Sequence, residues 1–251
     1  MKTKSWRRLP PLKKWVLPRE NWDAGPWDNE PDKVQWLDVF SGYPCLIVRG
    51  PMGNLCGYVG VPPFHPWYGL PYNRCTLPMC ESDEEEGYCQ HSPDCIIDCH
   101  RGLTYSNHCL ELRPVHELSN IWHEVEPGDP AHIKLVWWFG FDCGHYMDLS
   151  PGLVAMARWA NTMARESGHG DYLDELEAKV REMRPMDFEM PEDTYKDMEY
   201  VGACVRRMAR QLRDIYDQTR GPIDGRQRDE GVQIQGPQGT VRDRLTLPII
   251  G

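Results

Sequence analysis

Asp142, Cys143, His145 and Asp148 fall within seven residues, directly after the aromatic run Trp137, Trp138, Phe139 and Phe141. Imidazole and carboxylate groups ligate zinc and other transition metals, and a metal with an open coordination position activates water for hydrolysis of a phosphoester or glycosidic bond. A cysteine with a nearby histidine is also the material of a nucleophile and its base. A second segment has the same character: His100 and Arg101, then Gly102, Thr104, Tyr105 and Ser106. If the strands that carry these segments are neighbours, His100, Asp142, Cys143, His145 and Asp148 converge as catalytic candidates. The competing reading of the same residues is structural, with Asp142 and Ser150 capping turns, Cys143 filling the core and His145 hydrogen-bonded in place.

Binding without turnover is the leading use of the polar and aromatic residues. Tyr58, His65, Trp67, Tyr68, Trp138 and Tyr146 offer faces on which a base stacks, and Arg49, His100, Thr104, Asp142 and His145 offer contacts to phosphate or ribose oxygens. Neither a P-loop nor a GxGxxG fingerprint occurs, so a nucleotide-like ligand would need a pocket of its own design. A further metal candidate lies in 75–100, where Cys75, Cys80, Cys89, His91, Cys95 and Cys99 surround an acidic run. Four of these suffice for a structural zinc site, although the spacings are irregular and contain no CxxC pair. The other reading of that segment is an inserted loop with free thiols.

These residues need elements to hold them. Short apolar runs at 34–39, 44–49 and 55–61, separated by Gly, Pro and Asn turns, predict an antiparallel meander. Gly57 and Gly60 within the third run predict a bulge or a close backbone approach. A proline-rich loop at 62–69 follows, then a strand at 101–106 and the aromatic strand at 137–141, covered on both faces. Beyond Ser150 and Pro151 the pattern turns helical, with a short helix at 172–180 and a long one at 191–219. Pro191, Glu192 and Asp193 suit a helix start, and Tyr195, Met198, Val201, Val205, Met208, Leu212 and Ile215 form its apolar stripe. The expected fold is α+β: an antiparallel sheet with a C-terminal helical layer in one domain over 34–219, an extended basic and Trp-rich arm at 1–33, and a linker with an apolar tail at 220–251. That tail is a candidate contact for a homo-oligomer.

The chain has 251 residues and a net charge of −10, which argues against a general nucleic-acid-binding surface. Its mean hydropathy is −0.62, and no apolar run approaches the length of a membrane span. The first 20 residues carry seven Lys or Arg against one acid and lack the apolar core of a secretory signal. A cytoplasmic setting follows as the expectation, and in a reducing compartment the ten cysteines serve as metal ligands or buried thiols rather than disulfides.

Taken together, the runs at 55–61, 65–69, 100–106 and 138–145, with the helix from Tyr195 to Leu212, resemble a family of small bacteriophage- and prophage-encoded proteins over roughly residues 30–217. Arg101 and the tail after Thr219 depart from that family's pattern. The resemblance implies a phage accessory protein acting on host metabolism or defence. The expected function is therefore the binding of a small nucleotide-like ligand, in a counter-defence role. The alternatives are a metal-dependent hydrolase of such a ligand, and a zinc-stabilised protein that binds a host protein.

Overall fold

Alternation along the strands produces two buried faces and hence a layered molecule. The computed structural model describes residues 2–9, 18–77, 90–108, 121–182 and 193–220. Residues 1–219 form one compact unit and 220–251 a second, which lies outside the described residues except for Arg220. In chain order the elements are β1 (Lys4–Trp6), β2 (Lys33–Leu37), β3 (Pro44–Arg49), β4 (Leu55–Val61), α1 (Pro93–Ile96), β5 (Tyr105–His108), α2 (Ala131–Lys134), β6 (Trp137–Asp142), α3 (Pro151–Ala164), α4 (Gly170–Glu182) and α5 (Met198–Arg220). The six strands form one sheet in the order β1-β2-β3-β4-β6-β5, and every pairing is antiparallel. The expected α+β architecture is present, with the meander β2-β3-β4 at its centre. Among the described residues, no helix is long and apolar enough to cross a membrane.

Odd-numbered residues of β3, β4 and β6 face α5. Ile47, Val59, Phe139 and Phe141 meet Val201, Val205, Met208 and Leu212 there, nearly all of them sealed from solvent. Fully burying each such side chain is worth about 1.5–3 kcal/mol, so α5 is held chiefly by this stripe. Gly57 permits the contact. A Cβ on it would lie 2.5 Å from Val205 Cγ2 and 2.6 Å from Phe141 Cζ, so the close approach expected in this strand is that of the helix to the sheet. Even-numbered residues line the opposite face, where Leu46, Val48, Tyr58 and Trp138 pack with Ile121 and Val136.

Two expectations need correction. The 1–33 segment is not only an arm laid on the surface: its Lys4–Trp6 stretch adds a strand to the sheet, paired with β2. Its far end is bound by a buried ion network in which Asp32 pairs with Arg19 and Arg49, and Arg49 also pairs with Glu30. The long helix does not run from 191. It starts at Met198, because the Asp197 carboxylate accepts the Tyr200 N–H at 2.8 Å as an N-cap and Glu30 accepts the Met198 N–H at 2.8 Å. The residues just before it are instead tied to the 142–148 loop: Thr194 N–H donates to Met147 O and Leu149 N–H to Thr194 O, each at 3.0 Å.

Candidate metal centre

The candidate site lies where β6 ends. After Asp142 the chain turns through 143–148, and Pro151 in the first turn of α3 starts the next helix, as the sequence indicates. Cys143 N–H donates to Leu55 O at 3.0 Å and so fastens the start of this loop to β4. On the neighbouring segment, Thr104 N–H donates to Gly140 O at 2.9 Å, which sets the 100–104 stretch beside the loop. Two non-glycine residues among those described have positive φ: Arg101 at 54° and Met147 at 74°. One follows His100 and the other precedes Asp148. Such backbone costs energy and persists where the surroundings impose it, often at functional sites.

Asp148 is the centre of the arrangement. Its Oδ2 lies 2.7 Å from His100 Nε2 and accepts the His145 N–H at 3.1 Å, while Lys196 Nζ is 3.7 Å from Oδ1. His100 Nδ1 is 2.9 Å from the Tyr200 hydroxyl. Desolvation, and then the Cys204 thiol beside it, raise the pKa of that hydroxyl, so Tyr200 keeps its proton. Tyr200, His100 and Asp148 thus form a continuous chain of hydrogen bonds. His145 Nδ1 is buried without a hydrogen-bond partner, 3.6 Å from Asp148 Oδ2 and 3.8 Å from Asp142 Oδ1. Asp142 is itself oriented by the Thr104 hydroxyl and the Gly144 N–H, both at 2.9 Å, and its side chain is 36% exposed.

His100, His145 and Asp148 each offer one ligand atom, all within 4.8 Å of one another; among the described residues this is the one such group of three or more His, Cys, Asp or Glu side chains. Ligands at 2.0–2.2 Å in a tetrahedron stand about 3.4 Å apart. The 3.6 Å between His145 and Asp148 matches that spacing, whereas the 2.7 Å between His100 and Asp148 is a hydrogen bond that must open by about 0.7 Å to admit an ion. His100 would then present Nε2 as a lone pair and carry its proton on Nδ1, with the Tyr200 oxygen as acceptor. A ligating histidine commonly has such a partner on its other nitrogen. The group can hold a metal ion; its geometry does not distinguish zinc from other divalent transition metals.

The remaining sequence candidates are placed apart. Cys143 is 2% exposed, and burial pushes its thiol far above the ordinary range, so it is protonated and no nucleophile. Arg49 is also 2% exposed and spends its guanidinium on Asp32, Glu30, Gly53 O and the Tyr195 hydroxyl. His65 is a tie between its loop and α5: Nε2 meets Leu212 O at 2.8 Å and Nδ1 accepts the Trp67 N–H at 3.1 Å. Burial lowers its pKa to about 4, which keeps it neutral. Trp67 is in the core on the α5 side, with Tyr68 packed at its margin, while Tyr58 and Trp138 are buried on the opposite face of the sheet. These aromatics therefore do not form one stacking wall. Thr104 reaches the site, through Asp142, and the Tyr146 side chain is exposed beside it. In the Cys/His segment, Cys80 and Cys89 lie outside the described residues; Cys99 is buried in the core, its thiol raised to about 12 by burial and by Cys204.

Tyr200 and Lys196 belong to the site but were not singled out for it by the sequence. Tyr200 sits on the polar side of a helix whose apolar stripe explains the rest of its pattern, and only the register of α5 against β6 brings it to His100. No known protein-family model, curated protein or solved structure matches this chain.

Proposed function

We propose that this protein is a metal-dependent hydrolase with His100, His145 and Asp148 as its ligands. The observation that carries the reading is their convergence from two segments, together with the buried and partnerless Nδ1 of His145. A buried polar atom without a hydrogen bond is costly, and an ion between it and Asp148 removes that cost. Three protein ligands leave a coordination position for water, whose acidity a divalent ion raises. Asp142, oriented by Thr104 and Gly144 and 36% exposed beside His145, would be the base that takes that water's proton. In ester hydrolysis the water oxygen would bond to the electrophilic centre as the bond to the leaving group breaks, its electron pair going to the departing oxygen.

This reading is preferred to ligand binding in a polar-aromatic pocket because the aromatics that such a pocket needs are divided between two buried faces. An accessory role for the activity in an infected host, the expectation drawn from the sequence, is part of this proposal.

The test is elemental analysis with native mass spectrometry of the full chain, followed by assay against bis(p-nitrophenyl) phosphate. The expected result is one divalent ion per chain, turnover abolished by chelator, and loss of both ion and turnover in His145→Ala. A second reading, favoured by the full engagement of His100 between Tyr200 and Asp148, is a metal-free bond network that ties α5 to the end of the sheet. Its signature is a chain that takes up no ion, is destabilised by His100→Ala and is inert to the ester; that outcome overturns the hydrolase reading.

A further inference from the structure

The charges around the three ligands constrain what the open position would accept. Asp148 and Asp142 each bring one negative charge. Lys196 stands 3.7 Å from Asp148, held by a hydrogen bond to the Thr194 hydroxyl, with its ammonium 5.7 Å from the Tyr200 ring centroid. Arg101, adjacent to His100, is exposed and its Nη2 donates to Tyr146 O at 3.1 Å. Its guanidinium thus links the turn that supplies His100 to the loop that supplies His145 and Asp148. The two carboxylates and two cations cancel, and both histidines are neutral as ligands. A divalent ion therefore leaves the site with an uncompensated double positive charge, in a chain whose net charge is −10. Arg101 is exposed and uses one of its five N–H donors on Tyr146.

We infer that the site takes an anionic, phosphate-bearing ligand, with Arg101 as the residue that grips the phosphate beside the ion. The inference rests on the metal reading above. A planar guanidinium at the mouth pairs with two phosphate oxygens at once, a geometry that a neutral ester or an amide does not match. Arg101 itself has a positive φ of 54°, an uncommon backbone for a non-glycine residue that persists where the surroundings impose it.

The probe is inorganic phosphate, titrated into protein loaded with one equivalent of Co²⁺ and desalted, with the visible absorption of the bound cobalt as the readout. Cobalt held by thiolates is identified by its near-ultraviolet band and excluded from the titration. The expected result is a saturable spectral shift with phosphate. In Arg101→Asn, which tolerates the left-handed backbone, phosphate affinity is expected to fall by about a hundredfold, the loss of two charge-assisted hydrogen bonds, with cobalt affinity unchanged. Arg101→Lys is expected to recover part of the loss. Cobalt that binds with no response to phosphate, or an Arg101→Asn variant with unaltered phosphate affinity, overturns the inference and leaves the metal reading standing. A wild-type chain that binds no cobalt outside its thiols overturns both.

Discussion

Replacing Asp148 by Asn separates the metal's contribution to stability from that of the hydrogen bonds. Asn keeps the shape of Asp, and its carbonyl oxygen can still accept from His100 Nε2 and the His145 N–H, the two bonds now made to Oδ2 at 2.7 and 3.1 Å. Those bonds fall from charge-assisted to neutral strength, a loss of about 1 kcal/mol each, or about 2 kcal/mol in the metal-free protein. The amide also turns its NH₂ toward Lys196, which stands 3.7 Å from Oδ1 and loses its partner charge. Asn is a poor metal ligand, so the variant forgoes ion binding as well. For the wild type, an ion at one hundred times its dissociation constant adds about 2.7 kcal/mol. The gap between wild type and Asp148→Asn is therefore expected to widen from about 2 kcal/mol in EDTA to about 5 kcal/mol in the saturating ion. Urea unfolding monitored by tryptophan fluorescence measures both gaps. Mn²⁺ is the ion to use, since the thiolates of the unfolded chain compete weakly for it. A gap that is the same in EDTA and in Mn²⁺ refutes the reasoning, because Asp148 is then no ligand.

Four further outcomes follow from the geometry. Tyr200→Phe removes the hydrogen-bond partner of His100 Nδ1; metal affinity is expected to drop by roughly 10–100-fold in a chelator competition, and stability in EDTA to fall by about 1 kcal/mol. Gly57→Ala drives a methyl into Val205 and Phe141 and is expected to cost about 1–3 kcal/mol, read as a lower melting temperature by circular dichroism. His65 has a folded pKa of about 4 against 6.5 in its unfolded state, so the stability it contributes is full above pH 6.5 and is lost as the pH falls toward 4. Between pH 7 and pH 5 the wild type is expected to lose about 2 kcal/mol more than His65→Gln in urea titrations. Cys143 and Cys99 are buried and Cys56 is half-buried, all three with raised pKa values, and they are expected to escape iodoacetamide at pH 8 in the native protein, while the exposed Cys95 reacts, as peptide mass mapping would show.

The sheet was readable because its strands carry Gly and Pro boundaries and apolar runs with nothing else to explain them. The runs at 44–49 and 55–61 coincide with β3 and β4, and the aromatic run with β6. The start of α5 was misjudged because Pro191, Glu192 and Asp193 make a plausible helix entry, while the real cap, Asp197, depends on where Thr194 is held by the 142–148 loop. That is tertiary information. The same distinction divides the site. His100, His145 and Asp148 were legible as a pair of similar segments beside adjacent strands. His65, Trp67, Tyr58 and Trp138 looked equally functional, since a buried aromatic and a ligand-stacking aromatic have the same sequence signature. Only the strand register, Tyr58 opposite Gly140 and Gly60 opposite Trp138, divides them between the faces.

The helix that covers the sheet also has a consequence for how the protein is made. Synthesis delivers β1 to β6 before α5, so Ile47, Val59, Phe139 and Phe141 have no cover until the stripe through Leu212 leaves the ribosome. Lys196 and Tyr200 arrive with that same last segment. A nascent chain that stops short of it has both histidines and Asp148 but neither the hydroxyl that steadies His100 nor the cation beside Asp148. The last segment to be made therefore completes both the cover of the core and the bond network around His100 and Asp148.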